Sequence, residues 1–277
     1  MQAIIMAGGR GTRLRPLTNT CPKPMIPFIN KPVLAHLLNL LRRHHITDIV
    51  MTVHYLAEQI EAYFGDGREW GLNIRYAYED NPLGTAGGVK NAASFLNSDP
   101  FLVISGDIIT DIDLSAATRL HQHHQGLGTL ILKHVNDVRA YGAVTVDQRN
   151  RICSYSEKPH AHQAIPGLIN TGIYILQPTI LDLMEPNQIY DFSYHIFPIL
   201  LDQPEGLWGY IAKNYWSDMG TLESYRQTLE DAFLGKINGL ELPQTSPRRR
   251  WLEPETPMAS QDIFGQPSYA SHSLHPH

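Results

Sequence analysis

The sequence predicts an α/β protein with a mixed, mainly parallel β-sheet flanked by helices. Its first half alternates short apolar runs with amphipathic segments, which is the rhythm of βαβ units. Its second half, from about residue 126, carries several short strand-like runs with little helical pattern between them. The chain has 277 residues, 43% of them hydrophobic, which is sufficient for a sizeable core.

The elements of the first half follow one another with clear boundaries. Residues 2–7 form an apolar run that ends at two glycines, which is typical of a buried strand. Residues 31–45 show apolar side chains at helical spacing, with Pro near the start and Arg and His in the last turn. Further strands are predicted at 48–53, 73–79 and 100–105, and further helices at 56–64 and 86–96. This order favours parallel strands joined by helical crossovers.

The second half is expected to add antiparallel strands to this sheet, followed by a last helix at 222–235. The strands are predicted at 128–135, 142–147, 151–157 and 169–176. Residues 236–277 contain six prolines, five serines and few large apolar side chains. We therefore predict one domain over residues 1–235 and a disordered tail over residues 236–277, and the sequence shows no internal repeat.

Composition limits the classes of partner and the cellular compartment. The net charge of −5 gives no indication that nucleic acid or an anionic membrane is the main partner. Two cysteines cannot build a disulfide framework, which favours a reducing compartment. The N-terminal apolar run is too short for a signal peptide or a membrane span, so a cytoplasmic protein is predicted.

A stretch near the N-terminus concentrates positive charge where regular structure cannot form. Residues 7–25 read AGGRGTRLRPLTNTCPKPM and follow the first predicted strand, at the edge where parallel sheets bind ligands. Glycines let backbone N–H groups approach phosphate oxygens closely, and Arg13 and Lys23 add positive charge. Arg10 and Arg15 could instead face water. The stretch is neither a Walker A loop nor a dinucleotide-binding glycine motif, so another kind of phosphate loop is predicted.

This loop resembles the signature of the sugar-1-phosphate nucleotidylyltransferases (NDP-sugar pyrophosphorylases), and most closely that of the mannose-1-phosphate guanylyltransferases. The similarity covers about residues 2–235. The matching segments are PLGTAGGVKNA (82–92), FLVISGD (101–107), YGAV (141–144), EKP (157–159), NTGIYIL (170–176), YDFSYHIFP (190–198) and YWSDMG (215–220).

The resemblance implies a Rossmann-like core, a small antiparallel sugar-binding extension and a Mg²⁺-dependent reaction. In that reaction a sugar-1-phosphate attacks the α-phosphorus of an NTP, giving an NDP-sugar and pyrophosphate. The implied partners are therefore an NTP and a sugar-1-phosphate, and a homo-oligomer is left open. Many members of the family continue into a hexapeptide-repeat β-helix, of which residues 236–277 show no sign.

The resemblance also implies roles for individual residues. Arg13 and Lys23 would contact the NTP phosphates and carry the catalysis. Asp107, which follows the strand predicted at 100–105, and Asp218 would hold Mg²⁺, a cation that prefers carboxylates, phosphate oxygens and water. The implied nucleotide-binding residues are Gly8, Gly9, Gly11, Thr12, Glu79, Gly84 and Thr85. The implied sugar-phosphate-binding residues are Gly142, Glu157, Lys158 and Asn170.

Glu79 is the residue that bears most on the choice of base. Guanine offers two adjacent donors, N1–H and the N2 amino group, which one carboxylate can accept as a pair. Adenine presents an acceptor at N1, and thymine and uracil offer one donor there. Glu79 therefore favours GTP, and the resemblance implies mannose-1-phosphate as the sugar phosphate. Glucose-1-phosphate, or another sugar phosphate, with dTTP or UTP is the alternative that keeps the chemistry.

Two alternatives come from other classes. A non-catalytic paralogue that senses nucleotide sugars would tolerate loss of the charged residues named above, yet all of them are present. Asp111 and Asp113 form a DxD motif, which glycosyltransferases use for a metal. Asp113 also precedes a predicted helix, so we interpret it as an N-cap.

The spacing of His121, His123 and His124 does not suit a metal site, and they are predicted to lie on the surface.

Overall fold

The computed structural model describes residues 1–240, and its elements alternate along the chain as the sequence predicts. The strands are β1 (Ala3–Met6), β2 (Pro27–Phe28), β3 (Lys31–Pro32), β4 (Asp48–Val53), β5 (Asn73–Tyr78), β6 (Phe101–Ser105), β7 (Ile108–Thr110), β8 (Gly128–Val135), β9 (Gly142–Val146), β10 (Ile152–Glu157), β11 (Gly167–Leu176), β12 (Leu207–Ala212) and β13 (Trp216–Asp218). The helices are α1 (Val33–Arg43), α2 (Ala57–Phe64), α3 (Gly84–Asn91), α4 (Leu114–His124), α5 (Phe197–Leu201) and α6 (Leu222–Phe233).

Four parallel strands form the centre of the main sheet in the order β6, β1, β4, β5. The chain leaves β1 through α1 towards β4 on one side and later crosses back through α3 to place β6 on the other side. Strand order therefore reverses beside β1, and such a reversal opens a crevice at the carboxyl ends of the strands. The crevice is where the predicted phosphate loop emerges.

Antiparallel strands extend this sheet, as the sequence predicts for the second half. Strand β11 pairs antiparallel with β6, β8 and β9, and β10 pairs antiparallel with β9. Strand β12, which the sequence does not predict, lies parallel to β8. Two small antiparallel sheets, β2 with β3 and β7 with β13, complete the strand pairing of residues 1–240. The predicted mixed, mainly parallel sheet with an antiparallel extension is confirmed.

Helices cover both faces of the sheet because side chains of a strand alternate between its two faces. Ala3 and Ile5 of β1 pack with the face covered by α1, α2 and α4, whereas Ile4 packs with the face covered by α3 and α5. All three side chains are fully buried. No helix within residues 1–240 has the length and apolar character needed to cross a membrane.

The chain just beyond the last helix is part of the packed structure. Ile237 is buried, and Asn238 donates from its backbone and side-chain nitrogens to Asp111 at 2.8 and 2.7 Å. Lys236 forms an ion pair with Asp231 at 2.7 Å. The predicted tail boundary at residue 236 therefore lies inside the described fold, and residues 241–277 of that tail lie outside the described residues.

The DxD motif is used for structure. Asp113 accepts a hydrogen bond from the Ala116 amide at 2.9 Å and caps α4, so the predicted N-cap is confirmed. Asp111 is 9% exposed and also accepts from the Tyr215 amide at 2.6 Å. The Asp111 carboxylate thus binds Tyr215, which precedes α6, and Asn238, which follows it. Both acids of the motif have structural partners, so the motif offers no support for a glycosyltransferase.

The prediction that all three histidines of α4 lie on the surface is wrong for His121, which is 2% exposed. Its Nδ1 lies 2.9 Å from the Thr129 hydroxyl, and its Nε2 lies 3.3 Å from the amide nitrogen of Gln177. An amide nitrogen can only donate, so Nε2 accepts and Nδ1 carries the proton of a neutral ring. Burial lowers the pKa of His121 to about 4.

We expect His121 to make the fold lose stability as the pH falls from about 6.5 to about 4. In this window the unfolded chain binds a proton at this site and the folded chain does not, which costs up to about 3 kcal/mol at pH 4. Urea unfolding of the wild type and of His121→Gln at pH 7.5 and pH 4.5 measures the effect. A pH-dependent loss equal in both proteins would contradict the assignment.

Candidate active site

A cavity of about 480 Å³ opens at the carboxyl edge of the four parallel strands. Each of these strands ends at residues that line it: Gly8 follows β1, His54 follows β4, Glu79 follows β5, and Asp107 follows β6. Parallel strands bring their carboxyl ends to one edge, which is why residues so far apart in sequence meet here. The cavity contains every predicted nucleotide-binding residue, namely Gly8, Gly9, Gly11, Thr12, Glu79, Gly84 and Thr85.

The phosphate loop is held by its own short-range bonds. Gly11 has a φ of +62°, and a Cβ there would lie 2.9 Å from Lys23, so a glycine is required. The hydroxyl of Thr18 donates to the Gly11 carbonyl at 2.7 Å, and the buried side chain of Leu14 anchors the turn. Arg13 is exposed towards the cavity that it lines. The loop therefore lines the cavity with three glycines and one guanidinium on a backbone held by local bonds.

Arg10 and Arg15, for which the sequence predicts no definite role, are both exposed. Neither belongs to the described residues that line the cavity. The guanidinium of Arg10 lies 5.8 Å from the centre of the Tyr55 ring. This distance fits a weak cation–π contact on the surface. The structure thus separates these two arginines from Arg13 and Lys23.

Lys23 lies between the two acidic residues predicted to hold a metal. Its ammonium forms an ion pair with Asp107 and lies 3.6 Å from a carboxylate oxygen of Asp218. Pairing of β7 with β13 brings the two acids together, since Asp218 is opposite Ile108. Burial lowers the pKa of Lys23, while the Asp218 carboxylate acts in the opposite direction. The side chains of Lys23 and Asp107 are only 14% and 17% exposed.

The chemistry of this pair fits Mg²⁺. Two carboxylates converge on one cation, here the ammonium of Lys23, beside a loop suited to phosphate. Mg²⁺ is usually held by one or two carboxylates together with phosphate oxygens and water. Within residues 1–240 no group of three or more His, Cys, Asp and Glu side chains could hold a metal by itself. Asp107 and Asp218 would therefore need ligand oxygens to complete a coordination shell.

Glu79 lines the same cavity and is half-buried. Its carboxylate accepts a hydrogen bond from the Leu83 amide at 3.0 Å. Burial raises the pKa of Glu79, against the lowering effects of the Leu83 amide, His54 and Thr52. Gly88 provides the space, because a Cβ at that position would lie 2.6 Å from the carboxylate. A desolvated acceptor of this kind is well suited to reading donors of a ligand.

The loop after Glu79 is locked to a distant segment of the chain. Gly84 has a φ of +77°, and its missing side chain makes room for the backbone carbonyl of Tyr190. The hydroxyl of Thr85 donates to Asp191 at 2.9 Å and accepts from the Phe192 amide at 3.0 Å. Asp191 also lines the cavity. The loop that would face a base is therefore continuous with the segment that begins at Tyr190.

Three of the predicted sugar-phosphate residues meet at one tyrosine hydroxyl outside the cavity lining. Tyr155 donates to Glu157 at 2.8 Å and accepts from the amide nitrogen of Asn170 at 3.3 Å. Gly142 lies opposite Glu157 in the β9–β10 pair, and any side chain there would collide with the Tyr155 hydroxyl. The structure thus brings Gly142, Glu157 and Asn170 together.

Lys158, the fourth of these residues, is more exposed, and its ammonium lies 3.6 Å from Glu157. Its backbone amide donates to the carbonyl of Tyr141 at 2.9 Å. The Tyr141 ring lies 5.6 Å from that of Trp216, which is two residues before Asp218. Lys158 is thereby connected to the strand that carries the acidic pair.

Asp191 and His54 line the cavity, and Tyr155 contacts predicted sugar-phosphate residues, but none of the three was predicted from the sequence. Tyr155 could have been found, because side chains two residues apart in a strand share a face and Glu157 follows it at that spacing. Asp191 carries the signal of a helix cap, and it accepts from the Ser193 amide at 2.8 Å. His54 follows β4, as Glu79 follows β5, but a lone histidine gives no chemical indication.

Comparison with known proteins agrees with this geometry. A model of the nucleotidyl transferase family matches residues 2–233. A UTP–glucose-1-phosphate uridylyltransferase from Synechocystis sp. is 38% identical over 256 residues, which cover 88% of this chain and 66% of that protein. A mannose-1-phosphate guanylyltransferase from Mycobacterium tuberculosis is 36% identical over 239 residues, which cover 85% of this chain and 65% of that protein.

Solved structures show the same fold. HddC from Yersinia pseudotuberculosis, crystallised with GMP-PN, superposes with a TM-score of 0.72 at 27% sequence identity, covering 83% of this chain and 99% of that one. The chain spans less than two thirds of the length of the two enzymes above, 66% and 65%. The family match nevertheless covers the sheet, the phosphate loop and both acidic residues. The chain is a member of the nucleotidyl transferase family.

Proposed function

We propose that this chain transfers a nucleotidyl group from an NTP to a sugar-1-phosphate, releasing pyrophosphate. The observation that carries the proposal is the distribution of charge around the cavity. A glycine loop with Arg13 and Lys23 lies beside the carboxylates of Asp107 and Asp218, and Glu79 lines the same cavity as this loop. This arrangement suits a triphosphate beside the cations and the acidic pair, and a nucleobase beside Glu79.

The chain's own residues would act by position and charge. Two anions must approach each other for an oxygen of the sugar phosphate to attack the α-phosphorus, and Arg13 and Lys23 would lower that repulsion. The amides of the glycine loop would orient the phosphates for in-line departure of pyrophosphate. Little covalent work is needed from the protein in such a transfer, so no enzyme-bound intermediate is proposed.

Asp107 and Asp218 would hold Mg²⁺, on the fit described above. When bound, Mg²⁺ supplies positive charge that neutralises the phosphate oxygens. Lys23 would then exchange its two carboxylate contacts for contacts with phosphate. The position of Lys23, in the predicted phosphate loop and beside both acids, supports such an exchange.

For the substrates, we propose GTP and mannose-1-phosphate. Glu79 supports guanine, since each carboxylate oxygen has two acceptor positions and can serve both the Leu83 amide and a donor of the base. The Mycobacterium enzyme is named for mannose-1-phosphate, and the Yersinia protein was crystallised with a guanine nucleotide. The Synechocystis enzyme favours the second candidate, UTP with glucose-1-phosphate.

The sugar would bind across β9, β10 and β11. Gly142 would let the sugar lie against the backbone, Glu157 and Asn170 would bind its hydroxyls, and Lys158 would hold its phosphate.

Free cysteine side chains at Cys21 and Cys153 fit the cytoplasmic location that we propose.

Pyrophosphate release by the purified chain with Mg²⁺ tests the function. Each of GTP, ATP, UTP, CTP and dTTP is paired with mannose-1-phosphate and with glucose-1-phosphate. We expect release with GTP and mannose-1-phosphate. Release with UTP or dTTP and glucose-1-phosphate would retain the reaction and replace the substrates. Nucleotide binding without release from any pair would favour the sensing paralogue.

Glu79→Gln is expected to lower the preference for GTP over ATP in kcat/KM by roughly tenfold, on the scale of one paired base contact. Glutamine keeps the size of the side chain but replaces one acceptor oxygen by a donor, which opposes the guanine N2 amino group. The ratio of the two kcat/KM values measures the change. Glu61→Gln, on the outer face of α2, is the matched control. An unchanged ratio in Glu79→Gln would contradict the proposed base contact.

A further inference from the structure

The hydroxyl of Tyr155 is a junction of hydrogen bonds on the antiparallel half of the sheet. Three polar groups surround it: a Glu157 carboxylate oxygen at 2.8 Å, the Asn170 amide nitrogen at 3.3 Å and the Ser193 hydroxyl at 2.7 Å. The ring packs against Phe197, with 5.4 Å between ring centres. The tyrosine is therefore held by its ring and free to act only through its hydroxyl.

The direction of each hydrogen bond can be assigned. The Gly172 amide can only donate, and it lies 3.0 Å from Asn170 Oδ1, so the nitrogen of the Asn170 side chain faces Tyr155. Ionised Glu157 can only accept, so Tyr155 donates its one proton to it. The Ser193 hydroxyl must then donate to Tyr155. Burial also raises the pKa of Tyr155 well above its ordinary value, which keeps that proton in place.

The same junction is connected to the nucleotide cavity. The Ser193 amide donates to one oxygen of Asp191 at 2.8 Å, and the Thr85 hydroxyl donates to the other at 2.9 Å. Thr85 and Asp191 both line the cavity. Hydrogen bonds, joined through the covalent frames of Asp191 and Ser193, thus connect the loop proposed to face the base with the carboxylate proposed to bind the sugar.

We propose that Tyr155 is a positioning residue of the sugar-phosphate site, which orients the Glu157 carboxylate and links it through Ser193 and Asp191 to the nucleotide loop. This inference rests on the proposed function, because it assigns the role to binding of the second substrate. Glu157 is 16% exposed in its side chain, so an orienting donor is needed to keep its acceptor positions aimed at a ligand. Tyr155 itself would not touch the reacting atoms.

Tyr155→Phe is the test, since it removes the hydroxyl and keeps the ring. We expect the KM for mannose-1-phosphate to rise about tenfold, as for loss of a hydrogen bond to a charged group, with the KM for GTP changed less than about twofold. Tyr225→Phe is the matched control. It removes a partly buried hydroxyl that donates to the Pro27 carbonyl at 2.9 Å, on a residue that does not line the cavity, and should change neither KM.

A double substitution separates positioning from a merely structural role. If Tyr155 acts through Glu157, Tyr155→Phe should add less than about twofold to the KM of Glu157→Gln. The inference would be overturned if the two substitutions multiplied each other's effects on the KM for mannose-1-phosphate. It would also be overturned if Tyr155→Phe changed the KM values for mannose-1-phosphate and GTP equally, or left the KM for mannose-1-phosphate unchanged.

Titration calorimetry with mannose-1-phosphate and with glucose-1-phosphate distinguishes this inference from the proposed function. A wild type that binds a sugar phosphate but releases no pyrophosphate would overturn the reaction alone, and about tenfold weaker binding by Tyr155→Phe would still support the inference. Equal binding of the sugar phosphate by the wild type and by Tyr155→Phe would overturn the inference. The proposed reaction would then still be decided by the pyrophosphate-release assay. A wild type that binds no sugar phosphate would overturn both.

Discussion

Asp107→Asn and Asp218→Asn are each expected to lower kcat by about 10³-fold with the fold intact. An amide has nearly the size of a carboxylate but no charge, and it is a much weaker ligand for Mg²⁺. Asp107 lies in the turn after β6 and Asp218 ends β13, so neither supports the main core. Pyrophosphate release over a range of Mg²⁺ concentrations measures the loss, and thermal unfolding checks the fold.

Asp113→Asn is the matched control for these two substitutions. Asparagine caps a helix about as well as aspartate, so the bond to the Ala116 amide should persist and turnover should be unchanged. Partial recovery of Asp107→Asn or Asp218→Asn at high Mg²⁺ would agree with weakened metal binding. Near-normal rates from both variants would contradict the assignment of this acidic pair.

Lys23→Met should give the second largest effect, a fall in kcat of about 10²-fold together with a greater dependence of stability on Mg²⁺. Removing the ammonium leaves Asp107 and Asp218 facing each other as like charges, which destabilises the chain without a metal. A cation that binds the folded state restores the stability by mass action. The melting temperature with and without Mg²⁺ should therefore shift more in Lys23→Met than in the wild type.

Lys90→Met is the control for this experiment. Lys90 lies on α3, and its ammonium donates to the Leu181 carbonyl at 3.0 Å rather than to either acid of the pair. It should leave both kcat and the Mg²⁺ shift as in the wild type. Equal Mg²⁺ shifts in Lys23→Met and the wild type would show that Lys23 does not neutralise the acidic pair. Unchanged turnover would remove it from the phosphate site.

The sequence predicts best those elements whose local pattern agrees with their environment. Strand β4 occupies the predicted residues 48–53, because a continuous apolar run suits a central strand buried on both faces. Strand β12 was missed, since its run is interrupted by Gly209 and its place beside β8 depends on long-range pairing. The π-helical turn at Phe192–Ile196 was also missed, because it depends on a long-range contact. It is capped by Asp191, and that carboxylate also accepts a hydrogen bond from the distant Thr85.

His121 shows how a locally polar pattern can mislead. Three histidines near the end of a helix suggest a solvated face, and His123 and His124 are indeed exposed or partly exposed. His121 is instead covered by β8 and β11, whose Thr129 and the following Gln177 supply its two partners. Burial of this kind depends on which strands a helix packs against, and no local signal reports it.

By itself, the amino-acid sequence determined the class of the fold, the order of its central elements and the identity of the charged residues in the phosphate loop. Those properties follow from hydrophobic period, glycine content and charge, which are local. Only the tertiary structure decided that Lys23 lies between Asp107 and Asp218, and that the Tyr155 hydroxyl donates to Glu157. These contacts depend on strand order and register, which are set by packing over the whole sheet rather than by any short stretch of chain.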